Sequence, residues 1–148
     1  MATPDNRSSL SPFPRTFRAP IVQGAGRGKQ IGVPTLNLDL AGMPAGFAEG
    51  VYACAAWLDD NPMPLRGAMH YGPRPVFNDS VACEVYLLDG APPAEVTMVK
   101  VEAIERLRGI ENFPGPEALV EQIQEDVRRT DEILARESLR LGFKKSPV

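Results

Sequence analysis

Leucines alternate with polar residues through Leu36-Asn37-Leu38-Asp39-Leu40, the period of a strand with one face buried. Residues 81–88 repeat it, with Cys83, Val85 and Leu87 on one face and Glu84, Tyr86 and Leu88 on the other. Val99, Val101 and Ala103, set among Lys100 and Glu102, predict a further strand. Residues 17–23 read as a first strand that Pro20 would confine to a sheet edge. Residues 50–58 carry small side chains on both faces, as suits strands curving around a narrow interior. The turn-forming Asp59-Asp60-Asn61-Pro62 then returns residues 63–71 antiparallel. Only near the C-terminus does the period change: Leu119, Ile123, Val127, Thr130 and Leu134 make one helical stripe. Gly115-Pro116-Glu117 opens that helix and Gly142 is its expected stop.

Between these elements the chain is punctuated by glycine and proline. Residues 41–49, with Gly42, Pro44 and Gly46, form a loop long enough to cover a site. Residues 71–79 hold Gly72, Pro73, Pro75 and Asn78, which argue against a regular interior strand and predict a second flexible loop. Residues 107–115 read as a connector. Short strands divided by turns, with no helices between them, predict a closed or nearly closed antiparallel barrel. Residues 1–15, rich in Ser, Pro and Asn, bury too little apolar surface to order and are expected to be a disordered tail. The globular domain is expected over 16–142, with a short tail at 143–148.

Composition narrows the partners. At 148 residues the chain is about one domain long, and no second catalytic domain is expected. A net charge of −3 and a pI near 5.2 argue against an extended nucleic-acid-binding surface and favour small-molecule partners. Cys54 and Cys83 lie in apolar runs without metal-ligand spacing and read as buried free thiols. With no apolar run of membrane length and no secretory leader pattern, a cytoplasmic, soluble monomer is expected.

Chemistry concentrates in Gly24-Ala25-Gly26-Arg27-Gly28-Lys29-Gln30-Ile31-Gly32-Val33-Pro34-Thr35-Leu36-Asn37. Glycines let backbone N–H groups approach an anion closely, and Arg27 and Lys29 add charge. Pro34 biases the chain toward extended geometry, so Thr35 and Asn37, two residues apart, face the same way. A hydroxyl beside an amide oxygen suits Mg²⁺, which completes its shell with water and substrate phosphates. A Walker A loop is excluded because Gly28-Lys29 is followed by Gln30 and soon by Pro34, and a dinucleotide fingerprint fails on its third glycine. On residues alone a surface loop entering an edge strand remains an equal reading. Glu84, in a strand between Cys83 and Val85, is either solvent-facing or paired with an arginine, or it is a buried acid with a task. His70, the one histidine, reads as a loop hydrogen-bonder. Arg27, Arg74 and Arg108 could each touch phosphate, with local context favouring only Arg27.

Residues 24–37 resemble the G-x-G-R-G-x-x-x-G-x-P-T-x-N signature of the riboflavin kinase (flavokinase) family, a domain that in many bacteria forms the C-terminal half of a bifunctional FAD synthetase. The similarity continues through Gly50-Val51-Tyr52-Ala53, Tyr71-Gly72-Pro73-Arg74-Pro75, Cys83-Glu84-Val85-Tyr86-Leu87-Leu88-Asp89, Leu107-Arg108 with Phe113, and residues 119–126. It implies a six-stranded antiparallel Greek-key barrel with a long C-terminal helix. It also implies transfer of the ATP γ-phosphate to the 5′-OH of riboflavin, giving FMN and ADP. By the same resemblance Glu84 occupies the position of the catalytic base, and Thr35 and Asn37 those of the Mg²⁺ ligands. Gly24, Gly26, Arg27, Gly28, Gly32, Pro34 and Thr35 would hold the nucleotide. Asp126 matches a family position on the final helix, although its own context reads as a polar residue bordering the apolar stripe. The sequence departs from the family at His70-Tyr71-Gly72, where Asn-Ile-Gly is common, at Val76, where Thr is common, and at 92–96, which lacks a usual Leu-Tyr-Gly. Those departures feed a rival reading, a non-catalytic flavin- or nucleotide-binding sensor on the same barrel. A purely structural interaction domain is a weaker third.

Overall fold

The structure of the protein, a computed structural model, describes residues 15–74, with 23–33 left out, and residues 79–93 and 95–141. Among the described residues six strands, β1 (Arg15–Val22), β2 (Thr35–Leu38), β3 (Gly50–Leu58), β4 (Leu65–Arg74), β5 (Asp79–Leu87) and β6 (Met98–Arg108), precede one α-helix, α1 (Pro116–Leu141). All pair antiparallel and close into a barrel in the order β1-β2-β5-β4-β3-β6. The consecutive strands β3, β4 and β5 lie side by side and β6 returns beside β3, which is a Greek key. The expected fold class is therefore the observed one.

Strand alternation divides the side chains between two cores. Leu36, Leu38, Met69, Cys83, Val85, Leu87, Val99 and Val101 fill the barrel interior. The small residues of β3 serve both sides: Cys54 and Ala56 point inward, while Ala53 and Ala55 let α1 lie close against the outer face with Ile133 and Leu134. Leu119, Ile123, Thr130 and Leu134 of the expected stripe are buried, with Val127 partly so. Both cysteines are buried and free. Burial pushes the Cys83 thiol up to about 12, helped by the neighbouring Glu84 charge, and raises Cys54 further.

Several boundaries differ from expectation. Residues 71–74 are not loop but the end of β4, with Pro73 paired to Val81 and a register shift just after it. Gly72 makes this possible: its φ is +147, and a Cβ there would lie 2.9 Å from Ile110 Cγ1. Leu107 and Arg108 belong to β6 and not to a connector, because two bulges against β3 absorb the break in alternation at Glu105-Arg106. Nor is β1 an edge strand, since closure gives it neighbours on both sides. Its Pro20 falls where pairing passes from β6, ending at Pro20, to β2, starting at Ile21. Leu40 leaves β2 for a 3-10 turn, Leu40–Gly42, capped by the Asp39 carboxylate, which accepts from Ala41 N at 2.9 Å. In the loop after it, Phe47 inserts into the end of the barrel against Phe17, Tyr52 and Tyr71, with centroids 5.8, 5.1 and 5.9 Å away. The expected tails, apart from Arg15 at the start of β1, lie outside the described residues, as does Gly142, the expected helix stop.

Candidate functional site

Register places the candidate chemistry on the outer face of β2, β5 and β4. Because β5 runs between the other two, Asn37 of β2 and His70 of β4 both stand directly opposite Glu84. One step along, Thr35 and Ala68 flank Tyr86 in the same way. Directly opposed side chains share a face with Cβ atoms about 4.5–5.5 Å apart. The pairing is held at its end by Leu87 N, which donates to Pro34 O at 2.9 Å. Thus the extended segment expected after Pro34 forms, and Thr35 and Asn37 share a face, as their spacing predicted.

Glu84 does not face solvent: it is 3% exposed, and its Oε1 accepts a hydrogen bond from the Tyr86 hydroxyl at 3.3 Å. Tyr86 is itself covered by Leu119 and Ile123 of α1. His70, 6% exposed, lies within β4 and not in a loop, so its expected role as a loop hydrogen-bonder is corrected by the length of the strand.

The same row continues through Val51 to Arg108, the neighbour of Val51 on β6. Arg108 is held by groups of the protein itself. Its Nε and Nη2 donate to the two oxygens of Asp126 at 3.0 and 2.8 Å, and Nη1 donates to Gly109 O at 3.0 Å. Gln122 adds a bond to Asp126 Oδ1 at 3.0 Å, and Phe113 lies 5.8 Å from the guanidinium. Asp126 is 2% exposed, so it does not merely border the apolar stripe. Sequence reasoning missed this pair. The available signal was a carboxylate one position before Val127 together with an arginine ending a strand, and neither specifies the other.

One oxygen stands out as a candidate ligand. Asn37 Oδ1 is buried and has no hydrogen-bond partner among the described residues, a costly state that a cation would relieve. With the Thr35 hydroxyl on the same face, the donor set is neutral, hard oxygen, which fits Mg²⁺. No group of three or more His, Cys, Asp or Glu that could hold a metal occurs among the described residues, so an ion here would depend on these oxygens and on substrate phosphates. Gly24, Gly26, Arg27, Gly28 and Gly32, the expected phosphate cradle, lie outside the described residues.

Compared with known proteins, residues 11–134 match the family model described as "Flavokinase: Riboflavin kinase", which takes in most of the chain. The chain belongs to the riboflavin kinase family. A curated relative, the bifunctional riboflavin kinase/FMN adenylyltransferase of Bacillus subtilis, is 30% identical over 117 residues, 76% of this chain. The match covers 36% of that relative, so the chain spans little more than a third of its length. Among solved structures, riboflavin kinase from Trypanosoma brucei superposes with a TM-score of 0.60 over 90% of this chain and 87% of its own. At 22% identity that likeness concerns the fold. A structure described as a macrolide-efflux protein from Streptococcus pneumoniae gives a TM-score of 0.66 at 26% identity, over 80% of this chain and 38% of that one. Among the described residues, no helix is long and apolar enough to cross a membrane. For a riboflavin kinase-like barrel, the row of Asn37, Glu84 and His70 is thus the first place to seek chemistry.

Proposed function

We propose that the protein is an ATP:riboflavin 5′-phosphotransferase that forms FMN and ADP in the cytoplasm. Family membership supports a kinase of this class, and the observation that carries the specific reading is the buried Glu84 carboxylate directly opposite Asn37. Phosphoryl transfer needs an acceptor and a nucleotide held in line, charge neutralised on the phosphate oxygens, and a proton acceptor at the attacking hydroxyl. Glu84 is the proton acceptor: as the riboflavin 5′-oxygen attacks the γ-phosphorus and the bond to the β,γ-bridging oxygen breaks, the hydroxyl proton passes to a Glu84 oxygen. Tyr86 steadies the carboxylate through its bond to Oε1. Thr35 and Asn37 would hold the divalent ion, which neutralises phosphate charge when bound. Gly24, Gly26, Gly28 and Gly32 would bind the nucleotide phosphates through backbone N–H groups and Arg27 through its charge, while Pro34, which has no N–H to donate, would direct the chain into the extended segment that carries Thr35.

The reading is tested by incubating the purified chain with riboflavin and ATP, with and without Mg²⁺, and resolving the flavins by chromatography. FMN that accumulates only with ATP and the divalent ion supports it. Flavin that copurifies and binds but is never phosphorylated would favour the sensor instead.

A further inference from the structure

Four polar side chains among the described residues are buried: His70, Glu84, Asp126 and Thr130. Glu84 has a task in the proposed reaction, and Asp126 neutralises Arg108. Thr130 lies in the stripe of α1 that covers the barrel. His70 has no part in phosphoryl transfer as described, yet it is the sole histidine of the chain and stands directly opposite Glu84 on the neighbouring strand.

The surroundings limit what His70 can act on. Across β5 the polar groups on its face are Glu84 and, one step along, Tyr86. On its other side β3 presents Val51, which is apolar, and beyond it Arg108 of β6 is bound to Asp126 of α1. Glu84 is therefore the ionisable neighbour that register brings nearest. An imidazole can donate an N–H to a carboxylate or lie beside it as a charge, and in a buried site either interaction restricts the rotamers the acid can adopt. The continuous β4–β5 ladder fixes the two backbones against each other, so the two residues stand side by side on one face without any loop having to close.

We propose that His70 is a positioning residue for Glu84, holding the carboxylate with Tyr86 so that an oxygen is presented to the acceptor hydroxyl. This rests on the reading of Glu84 as the proton acceptor. It also predicts that a side chain able to donate an N–H can replace the imidazole, whereas an apolar one of similar bulk cannot.

The test compares His70→Leu and His70→Asn with the parent in steady-state riboflavin phosphorylation, alongside an NMR measurement on the intact chain. His70→Leu is expected to lower kcat about tenfold or more while both KM values stay within about twofold, the pattern of an interaction needed only in the transition state. His70→Asn should recover most of the loss. Unchanged kcat in a folded His70→Leu protein, or equal losses in both variants with raised KM values, would overturn the proposal. If His70→Leu does not fold, the Asn variant and the spectrum decide. A single histidine gives one set of imidazole signals, which Glu84→Gln should move and the remote, exposed Glu132→Gln should not. Signals that ignore Glu84→Gln contradict the pairing. A parent that makes no FMN while its His70 signals still answer to Glu84→Gln would sink the kinase reading and the positioning role but leave the pairing standing, so the two failures are distinguishable.

Discussion

Asn37 is the residue whose state is hardest to explain without a ligand. Its buried amide oxygen has no partner among the described residues, a state that costs about 1–3 kcal/mol, and an ion drawn to it from the substrate side would remove that cost. Asn37→Leu and Thr35→Val should therefore weaken Mg²⁺-dependent nucleotide binding more than riboflavin binding, measured by titrating each ligand against each variant. Equal loss for both ligands would instead mean general damage to the barrel. The cysteines make a different prediction. The ordinary thiol ionises near pH 8.5, whereas burial holds Cys83 protonated up to about 12 and Cys54 beyond it. Above about pH 8.5 the unfolded chain releases protons that the folded chain keeps, so stability falls as pH rises through the alkaline range. Native protein at pH 8 should leave both thiols unreactive toward a thiol reagent and expose both on unfolding. Rapid labelling of the native protein would contradict the burial.

At the level of elements, α1 and the outer barrel face are tied by ion pairs of very different worth. Arg108 and Asp126 have side chains 13% and 4% exposed, so removing the carboxylate leaves a buried cation uncompensated. Asp126→Leu should cost about 3–5 kcal/mol, lowering the melting temperature by roughly ten degrees for a domain of this size. Asp131, 58% exposed and paired with Arg66, is shielded by water, and Asp131→Asn should cost less than about 1 kcal/mol. Thermal melts of the two variants compare them directly. Elements with one buried face were legible in the sequence: the alternations around Val85 and Val101 and the α1 stripe became the elements they predict. Illegible were the places where tertiary pairing overrides local preference. Gly72 and Pro73 look like loop until a bulge just after them accommodates the pairing, and the end of β6 looks irregular because β6 itself carries the extra residues where its register shifts against β3.

For the whole molecule, closure of the barrel is what assembles the site. Residues far apart in the chain, Asn37, His70 and Glu84, become one row only because β2 is laid against β5 beside β4. Each had been singled out in the sequence, but nothing in its spacing could reveal that His70 stands beside Glu84, since that adjacency is a property of sheet order. The Arg108–Asp126 pair was hidden for the same reason. The central claim, that this row carries proton acceptance for phosphoryl transfer, is tested most directly by FMN formation in Glu84→Gln. Glutamine keeps the size and hydrogen-bonding reach of the acid but is no proton acceptor. A folded variant that binds ATP and riboflavin like the parent and forms FMN about 10²- to 10⁴-fold more slowly is the predicted result. One that folds, binds both and turns over within about threefold of the parent, far short of a general-base effect, would contradict it.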